Sequence, residues 1–407
     1  MPEAVIVATA RTPIGRARKG SLKDVRPDDL AATVIRAALD KVPGLPADQI
    51  EDLYLGCAEP WGEHGNNMAR LVAVLLGYDH LPGATVNRFC SSSVQTTRMA
   101  FHAIRAGEGS VFVSAGVECV SRYTGVPGAG RSAEEWLNPR FGQARARTQA
   151  TAESNQAWAD PREDDLLPDI YIAMGQTAEN VATARGVSRR AQDEWAVESQ
   201  NRAEKATLDG FFAREITPVT TPDGTVVSRD DSPRAGVTMA GVEGLQPVFR
   251  PDGTVTAGNC CPLNDGAAAL VVTSDVRAQE LGLTPLARVV STGVSALSPE
   301  VMGLGPVEAS RQALARAGMT IGDIDLVEIN EAFAAQVLPS ADDLGIDTDK
   351  LNVHGGAIAL GHPFGMTGAR ITTTLLNGLQ ARDGQFGLET MCVGGGQGMA
   401  IIYERLS

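Results

Sequence analysis

The chain repeats one pattern of strands and helices, and this repeat constrains the fold more than any other feature of the sequence. Residues 1 to 120 alternate short β-branched runs with helical patterns, starting with a predicted strand, AVIVAT (4–9), and a predicted helix (28–42). From residue 252 the alternation returns, and segments 286–296 and 308–319 resemble that first strand and helix. Alternation of this kind predicts a mostly parallel sheet covered on both faces. Two similar halves would bring their strand ends together around one crevice.

The segment between the two alternating zones has a different character. It begins with a polar, proline-punctuated stretch and continues with a helical block at 178–206, in which Ser188 is the expected N-cap of the second helix. We interpret it as an insertion that covers a site. The predicted domains are a first half, an inserted loop domain and a second half, with bounds 1–120 plus 252–275, 121–251 and 276–407.

Composition excludes several classes of function. A length of 407 residues exceeds one ordinary core, and a net charge of -14 argues against sequence-independent nucleic-acid binding. The N-terminus lacks the pattern of a signal peptide, and no apolar run is long enough to span a bilayer. Six cysteines without paired spacing are typical of reduced thiols. We therefore expect a cytoplasmic protein without nucleic-acid or membrane partners, which could still bind an anionic small ligand through local arginines.

Cys90 stands directly before a predicted helix, in NRFCSSSVQTTRMAFHAIRAG (87–107). Free amides and the positive dipole end of a helix lower the pKa of a nearby thiol and favour the reactive thiolate. Taken alone, however, a cysteine in this context is better explained as a buried core residue. The choice between nucleophile and core residue depends on the other motifs.

Three more motifs carry groups that could complete a thiol-based site. His362 lies in the glycine-dense segment NVHGGAIALGHPFGMTGAR (352–370), which suits a base that activates a thiol, although a lone histidine is more often a satisfied polar residue. Cys392 ends a predicted strand, and the three glycines after it expose amides for an oxyanion. Asn330 stands between a strand and a helix, where it is either functional or a helix cap. Neither a dinucleotide fingerprint nor a zinc site fits, because the required helix and the short paired ligand spacing are missing.

Together and in this order, these motifs resemble those of the thiolase family along essentially the whole chain. The matching segments are TARTPIG, NRFCSSS, MGQTAENVA, TAGNCCPLNDGAAA, MGLGPVEAS, NEAFA, GGAIALGHPFGMTGAR and CVGGGQGMA. The resemblance implies an α/β fold with a layered αβαβα core of two similar halves and an inserted loop domain. It also implies an acyltransferase that cleaves 3-ketoacyl-CoA by thiolysis, or runs the reverse Claisen condensation, with coenzyme A as substrate and no tightly bound cofactor or metal.

The resemblance also implies a role for each motif residue. Cys90 would take the acyl group, and His362 would activate it and help to bind the thioester oxyanion. Asn330 would hold a water that donates to the same oxygen, and Cys392 would be the acid/base. The backbone N–H groups of Cys90 and Gly394 would form a second oxyanion hole.

For the CoA site the implied contacts are Arg234 at the nucleotide end, Ala257 and Cys261 along the pantetheine arm, and Met174 and Met302 beside the acyl group. This sequence departs from the family pattern at three positions. Cys261 replaces a small hydroxyl residue, Ala173 replaces the histidine of short-chain biosynthetic members, and His354 replaces asparagine. The first puts one CoA hydrogen bond in doubt, and the second puts strict acetoacetyl specificity in doubt.

Two alternatives from other classes remain. A ketoacyl synthase on the same fold would use one cysteine and two histidines, for which His354 is a candidate, but the second cysteine and the NEAFA asparagine argue against it. A non-catalytic acyl-CoA or lipid carrier would lack one of the four reactive groups. The resemblance further implies a homodimer or homotetramer, and a place in fatty-acid β-oxidation suggests association with other enzymes of that route.

Overall fold

A computed structural model describes residues 1–123, 137–154 and 156–407. Of the predicted insertion, residues 124–136 and 155 therefore lie outside the described part. None of the helices in the described ranges has the length and apolar character needed to cross a membrane.

The secondary structure follows the predicted order closely. The strands of the described residues are β1 (Ala4–Arg11), β2 (Gly15–Arg16), β3 (Asp52–Gly56), β4 (Gly83–Val86), β5 (Val111–Cys119), β6 (Val219–Thr220), β7 (Val226–Val227), β8 (Asn264–Ser274), β9 (Ala287–Ala296), β10 (Leu326–Ile329), β11 (Phe386–Val393) and β12 (Gln397–Arg405). The α-helices there are α1 (Pro27–Asp40), α2 (Met68–Leu75), α3 (Ser92–Ala106), α4 (Gly142–Ser154), α5 (Met174–Arg185), α6 (Arg189–Leu208), α7 (Met239–Val242), α8 (Asp275–Glu280), α9 (Gly305–Ala317), α10 (Ala334–Leu344), α11 (Ala357–Leu360) and α12 (Thr367–Arg382).

Local sequence explains where key helices begin. In α1, Pro27 occupies the first turn, where its missing N–H costs nothing, and two aspartates follow it at the positive end of the helix dipole. Before α6, the Ser188 hydroxyl accepts a hydrogen bond from the Ala191 N–H at 3.1 Å, as predicted. Helix α1 then buries a mostly apolar face, whereas the buried face of α6 also contains polar residues such as Gln192 and Asp193.

The main sheet is mixed, so the prediction of a mostly parallel sheet is wrong. Its order in the described residues is β10-β11-β12-β9-β1-β8-β5-β3-β4, with β2 paired to β8. Only the β10–β11, β3–β4 and β3–β5 pairs of that sheet are parallel. The reason is that the last strand of each half runs antiparallel to both of its neighbours. Strand β8 lies between β1 and β5, and β12 lies between β9 and β11.

The two halves share one topology, as the sequence repeat predicts. The order β1-β8-β5-β3 in the first half corresponds to β9-β12-β11-β10 in the second. Even the parallel β3–β4 pair has a counterpart, a single parallel bridge between Val327 and Leu351. The half-sheets meet at a short antiparallel contact of Val5 and Ile6 with Arg288 and Ala287.

Helices complete five layers. Helices α1 and α2 cover the first half-sheet, α9 and α10 cover the second, and α3 and α12 contact each other and strands of both halves in the middle. Three apolar clusters fill the spaces between the layers, and Cys90 belongs to the central one. The layered αβαβα core agrees with the resemblance. The boundaries at residues 120, 252 and 276 stay predictions.

Candidate active site

Cys90 lies in the one-turn 3-10 helix Phe89–Ser91, between the end of β4 and the start of α3. Phe89 has a φ of 44°, a left-handed conformation that a bulky side chain rarely adopts. Such strain is typical of turns that aim a functional group. This turn packs against β11 and against the turn Phe364–Met366, so the second half surrounds the thiol of the first.

Burial controls the protonation of Cys90. Loss of solvent raises the pKa of its thiol to about 11, although hydrogen bonds from the backbone N–H groups of Gly394 and of Cys90 itself act in the opposite direction. The amide groups at the helix start therefore lower the pKa of this thiol, as expected, but desolvation has the larger effect. The two amide groups expected to form one oxyanion hole do converge on the sulfur.

His362 is buried just before α12, and its ring is held at both nitrogens. The Thr367 hydroxyl donates to the Pro363 carbonyl at 2.7 Å, so its oxygen accepts from His362 Nδ1–H, also at 2.7 Å. The other nitrogen, Nε2, is then an acceptor and faces Asn330 Nδ2 at 3.3 Å. Burial, with a smaller effect of Arg370, lowers the pKa of His362 to about 3. The imidazole is thus neutral, with its basic nitrogen at the site.

Asn330 directly follows β10 and is almost completely buried. Its backbone N–H donates to the Thr390 carbonyl at 3.0 Å, which ties it to β11. Its side-chain Oδ1 is buried and has no protein hydrogen-bond partner among the described residues. Since buried acceptors are almost always satisfied, this oxygen has room for a bound water or a substrate group.

Cys392 lies at the end of β11 and is completely buried. Burial, and to a lesser extent the nearby Cys90, raises the pKa of its thiol far above the ordinary value. The glycine turn after it is anchored to the turn of Cys90, because Arg88 Nη1 donates to Gln397 Oε1 at 2.9 Å and Gln397 Nε2 donates to the Gly394 carbonyl at 3.4 Å. Cys90 thus lies near both the amide of Gly394 and the thiol of Cys392.

Sequence reasoning missed the residues that hold these loops in place. Glu118 accepts from the Gly365 N–H at 2.9 Å, Asn264 accepts from the His362 N–H at 3.0 Å, and Glu331 accepts from the Ile358 N–H at 3.1 Å. All three are buried polar side chains that join distant segments. Their neighbours in sequence give no sign of these partners, although each lies at or next to a strand end.

The proposed CoA contacts divide into two groups. Arg234 and Ala257 line a common cavity of about 280 Å³, whose wall also includes Cys260. Met174 and Met302 belong to the apolar cluster that contains Cys392. Cys261 is bound through its backbone N–H to the Ala332 carbonyl at 3.1 Å, and burial raises the pKa of its thiol.

His354 lies apart from these groups. Its ring stacks on Phe211 with 3.7 Å between centroids, and it lines a separate cavity with Arg214 and Arg382. Burial and these two arginines lower its pKa to about 4. It therefore packs as a neutral ring.

Comparisons with known proteins agree with this architecture. The family model "Thiolase, N-terminal domain" matches residues 4–276, and "Thiolase, C-terminal domain" matches residues 283–405. A 3-ketoacyl-CoA thiolase of Bacillus subtilis is 42% identical over 99% of this chain and 100% of its own length. A β-ketoadipyl-CoA thiolase of Pseudomonas aeruginosa is 43% identical over 99% of both chains. The crystal structure of Bacillus anthracis acetyl-CoA acetyltransferase superposes with a TM-score of 0.88 at 38% identity, over 100% of this chain and 99% of the other.

The matches along the whole chain identify the protein as an acyltransferase. Within that class, the matches over the full chain show that the protein belongs to the thiolase family.

Proposed function

We propose that this acyltransferase cleaves a 3-ketoacyl-CoA with CoA, giving acetyl-CoA and a shortened acyl-CoA, and also catalyses the reverse condensation through an acyl group on Cys90. The main support for this proposal is that backbone N–H groups from both halves, those of Cys90 and Gly394, point at the Cys90 thiol. Related proteins named 3-ketoacyl-CoA thiolase and acetyl-CoA acetyltransferase support the substrate class.

The first chemical step uses a neutral thiol and a neutral imidazole. As Cys90 Sγ bonds to the 3-keto carbon, its proton passes to His362 Nε2, and the N–H groups of Cys90 and Gly394 stabilise the oxyanion. Breaking the bond between the α and β carbons leaves the electron pair as a thioester enolate. The protonated His362 and a water held by Asn330 Oδ1 donate to the enolate oxygen.

Two proton transfers complete the cycle. Cys392 gives its proton to the enolate carbon, and acetyl-CoA leaves. The Cys392 thiolate then takes the proton of CoA, and the CoA thiolate attacks the acyl group on Cys90. Cys90 leaves as a thiolate and recovers its proton from His362, so every group returns to its starting state.

The cavity lined by Arg234 and Ala257 would hold CoA, and Met174 and Met302 would contact the acyl group. Cys261 lies close in sequence to Ala257 and would line the pantetheine arm. All of the groups of a catalytic thiolase are present, which favours an enzyme over a non-catalytic carrier.

We also propose a cytoplasmic homo-oligomer that acts in fatty-acid β-oxidation. The strand β4 ends the sheet of the described residues, its four residues are only half-buried, and Phe89 beside it is 41% exposed. Pairing of two such edges would cover this surface. Light scattering after size exclusion should give at least twice the mass of one chain, whereas a monomer would contradict the proposal.

Turnover tests the function directly. The protein should consume acetoacetyl-CoA only when free CoA is also present, with acetyl-CoA as the product. Absence of turnover, together with absence of acylation at Cys90, would exclude the proposed activity. Rates for a series of 3-ketoacyl chain lengths would then define the substrate range.

A further inference from the structure

Gln336 brings a polar group to the sulfur of Cys392. It lies in the first turn of α10, its side chain is completely buried, and its carboxamide end lies 3.7 Å from Cys392 Sγ. Both ends of the amide are satisfied when Nε2 donates to the Asn330 carbonyl at 3.3 Å and Oε1 accepts from the Val337 N–H at 3.2 Å. In that orientation Nε2 is the atom that faces the sulfur.

The stem of Gln336 is held by close packing. A β-carbon at Gly303 would stand only 2.6 Å from Gln336 Cβ, and the Gly303 carbonyl accepts from the Ser340 hydroxyl of the same helix at 3.2 Å. The other neighbours of Cys392 in its cluster, such as Met302 and Phe333, are apolar. Among the described residues, Gln336 is the side chain that forms a hydrogen bond with this sulfur.

We propose that Gln336 is a positioning residue whose amide N–H stabilises Cys392 while it is a thiolate and couples it to Asn330. The inference rests on the proposed function, in which Cys392 cycles between thiol and thiolate. A thiolate formed in a desolvated apolar cluster needs a donor, and a donor shared with the Asn330 carbonyl also fixes the distance between the acid and the oxyanion site.

The consequence concerns carbon–carbon cleavage more than transfer of an acyl group from acetyl-CoA. Protonation of the enolate carbon requires Cys392 to give up its proton, so loss of the donor raises the barrier for that step. CoA is a good leaving group as a thiolate, and acylation of Cys90 by acetyl-CoA depends less on the acid.

The experiment compares Gln336→Met with the matched control Gln192→Met. Gln192 is another completely buried glutamine, on α6, whose Nε2 donates to Thr254 Oγ1 at 2.9 Å, away from both thiols. We expect Gln336→Met to lower kcat for thiolysis of acetoacetyl-CoA at least tenfold, to move the descending limb of kcat to higher pH, and to change acetylation of Cys90 by acetyl-CoA less than threefold. Gln192→Met should leave the pH profile in place.

Two outcomes would overturn the inference. One is an unchanged kcat and pH profile in Gln336→Met, and the other is an equal loss in both half-reactions with the pH profile of the wild type, which would indicate a structural role alone. Failure of the proposed function is distinguishable, because the wild-type protein would then show neither thiolysis nor acylated Cys90.

Discussion

The two halves end equivalent strands with different chemistry. The equivalent strand pairs end at Gly56 and Gly116 in the first half and at Ile329 and Thr390 in the second. Counting on from these pairs, the position of Cys57 corresponds to that of Asn330. The position of Glu118 likewise corresponds to that of Cys392. Glu118 is saturated with donors from both halves, namely the N–H groups of Ala58 and Gly365 and the hydroxyl of Tyr123. Asn330, in contrast, keeps an unpartnered Oδ1 within the described structure. The same topology thus has two uses. The strand ends at Cys57 and Glu118, here called the holding end, fix neighbouring loops, and those at Asn330 and Cys392, here called the reactive end, carry the chemistry.

The largest effect should separate the nucleophile from a structural cysteine. Cys90→Ala should lower thiolysis by about a thousandfold or more, because the covalent intermediate is lost. Cys57→Ala, which removes a buried thiol at the holding end, should keep the rate within about threefold. Comparable losses in the two variants at equal thermal stability would contradict the division of roles.

Cys392→Ser tests the reactive end. We expect the condensation rate to fall about a hundredfold to a thousandfold, because a serine hydroxyl ionises far less readily than the thiol whose thiolate must remove a proton from the α-carbon of acetyl-CoA. Acetylation of Cys90 by acetyl-CoA, followed by mass spectrometry, should persist in part. Equal loss of both steps with the fold preserved would show that Cys392 has another role.

Glu118→Gln tests the holding end. An amide cannot accept all the donors that now surround the carboxylate, so the free energy of unfolding should fall by about 3 kcal/mol. Urea unfolding would measure it, with Cys392→Ala as the comparison, for which we expect a loss below about 2 kcal/mol. A larger loss for Cys392→Ala would reverse the assignment of the two ends.

The last expected effect is the pH dependence of stability. His362 has a pKa of about 3 in the folded protein, below its ordinary value near 6.5, so only the unfolded chain binds this proton between those two values. Its contribution to stability is therefore complete above pH 6.5 and is lost as the pH falls towards 3. In His362→Asn, unfolding free energies measured from pH 7 to 4 should fall less steeply than in the wild type. Parallel slopes would show that His362 does not titrate in this way.

The sequence predicts the elements well and their pairing poorly. Strand β8 lies in the segment 252–275 that the sequence assigns to the first half, but its antiparallel insertion between β1 and β5 depends on residues more than a hundred positions away. The same holds for the protonation of Cys90, since the start of the helix after it is visible in the sequence whereas the burial of its thiol is not. Glu118 binds the N–H of Gly365, and Gln336 contacts the sulfur of Cys392, and both partners are distant in sequence. No local sequence pattern therefore indicates either residue.

Trapping the acyl-enzyme tests the central claim most directly. The protein would be mixed with acetoacetyl-CoA and CoA, quenched within a turnover, and digested for mass spectrometry. The acetyl group should appear on the peptide that contains Cys90, be absent from the peptides of Cys392 and Cys57, and disappear when excess CoA is added before the quench. Turnover with an unmodified Cys90, or with the acetyl group on another residue, would contradict the account.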